Sequence, residues 1–126
     1  MTSHQRERTP SQRGETLFWD LAEDLLREPG VSRSTMMGYP CLRQNGEFFA
    51  CVERTTGHLI TKLPADRVQD LVRSGRAVAF APNGRTFREW AAFPRVNRRE
   101  WTEMLNEARA FVGGRRTTTS QRTTHR

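Results

Sequence analysis

The sequence predicts an α+β fold: a two-layer structure with helices packed on one antiparallel sheet, in the order α-β(3-4)-α-β(2)-α. Three observations predict it. Apolar residues recur at helical spacing in three separate stretches, around 17–26, 68–72 and 101–112. Between them lie short apolar runs joined by Asn-Gly turns, at Asn45-Gly46 and Asn83-Gly84. The chain has 126 residues, of which 35% are hydrophobic and 28% charged, enough for one core and one domain.

The elements follow in order. Residues 1–13 are polar and without periodicity and read as a disordered arm, and 14–113 as the folded domain. Leu17, Phe18, Leu21, Ala22, Leu25 and Leu26 share one half of a helical wheel, opposite Asp20, Glu23, Asp24 and Arg27. Pro29-Gly30 ends that helix. Residues 31–37 read as a strand, followed by strands at about 39–44 and 47–53 around the Asn45-Gly46 turn. Both turn residues tolerate the positive φ that a type I′ hairpin needs. His58 to Leu63 continues the sheet. Pro64 opens a second helix and Gly75 closes it, with Val68, Leu71 and Val72 as its stripe. Ala77–Ala81 and 85–93 form a second hairpin across Pro82-Asn83-Gly84, in a register the sequence leaves open between Phe87 inward and Trp90 inward. Asn97 caps the last helix with Glu100 as capping-box partner, and Gly113 reads as its stop. Residues 114–126, rich in Thr and Arg, read as a disordered tail.

Lys plus Arg number 21 against 14 acids, a formal charge of +7. The excess is local: 17–112 is almost balanced, whereas Arg115, Arg116, Arg122 and Arg126 have no acid beside them. A nucleic-acid groove requires a basic face on the fold itself, so this distribution weakens that class. No apolar run approaches the roughly 18 residues of a membrane span, and no signal-peptide core opens the chain. Cys41 and Cys51 are the only cysteines; with His4, His58 and His125 scattered, no metal-ligand spacing exists and no cofactor is expected. In a regular two-residue hairpin Cys41 faces Ala50 and Leu42 faces Phe49, which sets the two thiols on opposite sheet faces and excludes a disulfide. Both then read as small apolar residues of a reducing, cytoplasmic protein.

No Gly-x-Ser-x-Gly elbow, phosphate-cradling loop or His-Glu-x-x-His motif is present, and His58 has no orienting partner nearby in sequence, so the chain reads as non-enzymatic. Two stretches stand out. Met36, Met37 and Tyr39 line a pliable apolar surface or a sheet bend. In residues 84–90, Arg88 and Trp90 lie two residues apart on one side of the strand, a guanidinium beside an indole that suits an anion or a base, or a self-satisfied surface pair with Glu89 neutralising the charge. Arg98 and Arg99 start a helix where the dipole disfavours cations, a placement that points to an anionic partner.

Residues 35–52, TMMGYPCLRQNGEFFACV, resemble the Met-x-Gly-aromatic and Asn-Gly-x-x-Phe-Ala hairpin of the TfoX N-terminal-like family. KLPADRVQDLVRSG (62–75) resembles the helix start of the related YjbR-like (MmcQ) family, and GRTFREW (84–90) resembles a segment of its actinobacterial members. The resemblance covers about residues 15–113. It implies a fold like the type III secretion chaperones, no defined catalytic residues, and relatives described as competence regulators or DNA-binding proteins.

The expected function is a small cytoplasmic binding or regulatory module acting through its surface on a protein partner, with self-association through an open sheet edge as one form. The second reading is weak DNA binding through Arg85, Arg88, Arg98, Arg99, Arg115 and Arg116. The third is a small-ligand binder or enzyme near His58, with a pocket beside Met37 and Tyr39.

Overall fold

Thr9 opens the first helix. Its hydroxyl accepts from Gln12 N (3.2 Å), and its own N–H donates to Gln12 Oε1 (2.9 Å), a complete capping box with Pro10 in the first turn. The computed structural model describes residues 9–125, with side chains described through Gly114. Helix α1 spans Pro10–Leu25, α2 Ala65–Arg73 and α3 Arg98–His125. Six strands separate them: β1 Val31–Met36, β2 Tyr39–Gln44, β3 Glu47–Val52, β4 Leu59–Lys62, β5 Val78–Ala79 and β6 Trp90–Phe93.

The fold is α+β, three helices on one antiparallel sheet of order β1-β2-β3-β4-β6-β5. Helix α3 lies across β2, β3 and β4, α1 on β3, and α2 on β5 and β6. All three bury apolar residues in one core with Leu42, Phe49, Ala50, Val52, Leu59, Ala91 and Phe93 of the sheet and Leu63 beyond β4, but Val72, read as part of the α2 stripe, is exposed. Trp101 is fully buried there and donates its indole N–H to Arg95 O at 2.8 Å. A buried indole needs such an acceptor.

Several expectations change. Helix α1 begins at Pro10, inside the stretch read as a disordered arm; residues 1–8 lie outside the described ones. Its entry is backbone against backbone: a Cβ on Gly14 would stand 2.0 Å from Gly57 O. Helix α3 continues past Gly113 to His125, through the residues read as a disordered tail. Glycine inside a helix costs only about 1 kcal/mol against alanine, so it does not by itself force a stop. Asn97 does cap this helix through Glu100 N (2.9 Å), while the Glu100 carboxylate meets Arg76 at 3.2 Å.

The larger correction concerns the β2–β3 hairpin. Asn45 and Gly46 both take positive φ, 53° and 88°, as the type I′ turn requires. Gln44 pairs with Glu47 and Arg43 with Phe48, but Leu42 then pairs with Ala50 and Cys41 with Cys51. Phe49 is the extra residue of a β-bulge. One inserted residue flips every side chain beyond it, so the two thiols share a face.

The β5–β6 hairpin is shorter than the sequence suggested. A 3-10 turn at Pro82–Gly84 and an irregular segment precede β6, and Ala79 pairs with Ala91. Ala91 and Phe93 enter the core, Trp90 is half-buried on the other face, and Phe87 is exposed.

Candidate interaction face

An antiparallel sheet with helices on one side normally turns polar residues to the other. This one does not. The alternation set by the register carries Cys41, Cys51, Ile60 and Ala92 in one row across β2, β3, β4 and β6, on the face away from the helices. All four are buried, under the half-buried side chains of Met36, Tyr39, Phe48, Phe80 and Trp90. From the two stretches that stood out in the sequence, Met36, Tyr39 and Trp90 pack against the same apolar cluster.

Polar groups frame this cluster. Arg43 lies over the Phe48 ring, 4.3 Å from its centroid, and Lys62 Nζ is 5.8 Å from the Trp90 centroid and 4.0 Å from Glu89. The cation over Trp90 is thus Lys62 rather than Arg88, because the regular strand begins only at Trp90 and the two-residue alternation does not reach back to Arg88. Burial and the Glu53 carboxylate beside it hold the Tyr39 hydroxyl above its ordinary pKa.

Met37 and Gly38 form the β1–β2 turn, with φ of 52° and 82°. Met37 is 74% exposed. A methionine in left-handed backbone, projecting into solvent beside an apolar cluster, is an unfavourable residue for a turn that Asn-Gly would fill better.

The two thiols are free and fully buried. The neighbouring Cys51 thiol holds the Cys41 pKa below its ordinary value, while Cys41 and burial push Cys51 up. Cys41 Sγ also lies 3.2 Å from Tyr39 O.

The remaining candidate residues are dispersed. Arg98 pairs with Asp20 of α1, so the cation at this helix start has its anion within the molecule. Arg99 is exposed on the same first turn. Arg85 lies over Phe87 (5.7 Å), and Arg88 lines a groove of about 400 Å3 with Val68, Val72, Arg73 and Phe87. A second groove, of about 340 Å3, lies between α1 and α3. Neither groove includes His58, Met37 or Tyr39 in its lining. The His58 N–H donates to Thr56 Oγ1, and its C=O accepts from Glu53 N. The side chains of Arg115 and Arg116 lie outside the described ones. Among the described residues, no group of three or more His, Cys, Asp or Glu could hold a metal, and no helix is long and apolar enough to cross a membrane.

Searches of protein-family models, curated proteins and solved structures return no match for this chain.

Proposed function

We propose that this chain is a non-enzymatic, cytoplasmic protein-binding module of the TfoX N-terminal-like and YjbR-like kind, which docks a regulatory protein partner on its helix-free sheet face. One observation carries the reading: the apolar row and its aromatic cover occupy the face that ordinary sheet patterning gives to water. The rim supports it. Met37 offers a flexible, polarizable contact, Tyr39 and Trp90 offer large rings with a polar end, and Arg43 and Lys62 give charge at the margin. Four arginines of the DNA-binding reading, Arg85, Arg88, Arg98 and Arg99, are spread over the β5–β6 segment and the first turn of α3, and Arg98 is already paired.

A photo-cross-linking residue placed at Met37 or Phe80, in the native cell, tests this. The expected result is a discrete protein adduct from those two positions and none from Glu23 on the outer side of α1, unchanged by nuclease. Adducts that vanish with nuclease transfer the face to nucleic acid. Equal adducts at Glu23, or none at Met37 and Phe80, contradict the reading.

A further inference from the structure

We propose that Cys41 and Cys51 are an oxidisable dithiol, which a peroxide or a small-molecule disulfide converts into an intrachain disulfide tying β2 to β3. The bulge at Phe49 makes the two residues direct cross-strand partners. Directly opposed residues of an antiparallel pair have Cα atoms about 4.5–5.5 Å apart, inside the roughly 4.4–6.8 Å that disulfides span. Both thiols are free, and they stand directly opposite each other on one face of the sheet. The register thus places the two backbones within the span that a disulfide bridges.

The chemistry is asymmetric. The neighbouring Cys51 thiol, with a smaller contribution from Arg43, lowers the Cys41 pKa while Cys51 is pushed up, so the thiolate forms at Cys41. That thiolate attacks one peroxide oxygen; the O–O bond breaks, leaving a sulfenic acid and a hydroxide that is protonated to water. Cys51 then attacks the sulfenic sulfur, its proton leaving with the displaced hydroxide as a second water. Two thiols and one peroxide give one disulfide and two waters. With glutathione disulfide, the same exchange releases two glutathione thiols. Access to the pair is governed by side chains, since Met36, Tyr39 and Phe48 cover it and the helices lie on the opposite face. The inference rests on register alone and holds whatever the face binds.

The test exposes the full-length protein to hydrogen peroxide or glutathione disulfide, then alkylates the remaining thiols and maps peptides by mass spectrometry. Both thiols are expected to disappear together, with the mass falling by two hydrogens and one linked pair of peptides carrying Cys41 and Cys51. The chain stays monomeric on a non-reducing gel, and dithiothreitol restores both thiols. Cys51→Ser is expected to trap glutathione on Cys41, and Cys41→Ser to leave Cys51 reduced. The proposal is overturned if both thiols persist under oxidant that links the denatured chain. It is equally overturned if the products are interchain disulfides, or Cys41 sulfinic acid without the link.

Discussion

At Gly14 one methyl group has an outsized effect. In most helices Gly→Ala gains up to about 1 kcal/mol. Here the added Cβ would meet the Gly57 carbonyl at 2.0 Å, and Gly57 is itself wedged against Pro10 and Ser11. Gly14→Ala is therefore expected to destabilise by about 1–3 kcal/mol, seen as a fall in the urea midpoint. Met37 has the opposite sign. Met37→Asn relieves left-handed backbone at an exposed turn and is expected to stabilise by about 0.5–1 kcal/mol while weakening the cross-link to a partner. Tyr39 predicts the alkaline limb of stability. Its hydroxyl keeps its proton above the ordinary value, so the unfolded chain releases that proton first as pH climbs through about 10. The Tyr39 contribution is complete below that pH and falls away above it. Tyr39→Phe is expected to flatten the loss of stability between about pH 9 and 11 in denaturant titrations.

The elements are joined by a few polar links as well as by the core. Arg67 of α2 makes a two-pronged contact to Glu107 of α3, at 3.0 and 2.9 Å, which keeps the Arg67 guanidinium firmly protonated. Both side chains are about a third exposed, so Glu107→Gln is expected to cost only about 0.5–1 kcal/mol, less at high salt, in melts at two ionic strengths. Arg109 of α3 similarly reaches Gln44 of β2 at 2.7 Å, and Gln44 reaches Pro29 O. At this scale the sequence was legible wherever apolar spacing or turn chemistry ruled. The stripes of α1 and α3, Val68 and Leu71 of α2, the Asn45-Gly46 turn and the Asn97 cap appear as read, whereas Val72 is exposed. The start of α1 was missed because its signal is polar: Thr9-Pro10-Ser11-Gln12 is a capping box placed well before the first apolar residue, Leu17. The bulge was missed because an extra residue inside an apolar run, Phe48-Phe49-Ala50, leaves no break in the pattern. That one residue reversed the placement of the cysteines. The β5–β6 register was undetermined for a related reason, since two loop lengths fit the same residues and only the pairing of Ala79 with Ala91 decides between them.

For the molecule as a whole, the helices cover one face of the sheet and leave the other helix-free. Met36, Tyr39 and Trp90 could be singled out from sequence, but their meeting around one cluster depends on strand order, which brings β6 beside β4 rather than beside β5 alone; Met37 stays exposed in the turn beside them. The arginines read alongside them do not join that cluster; they serve ion pairs, ring contacts and the groove beside α2. Hydroxyl-radical footprinting, comparing the purified chain with the same chain inside its native cell, tests the docking face most directly. The account predicts that Met37, Tyr39 and Trp90 are modified in the purified chain and protected in the cell, while Trp19 on α1 changes little. Equal modification of Met37, Tyr39 and Trp90 in both settings would contradict it.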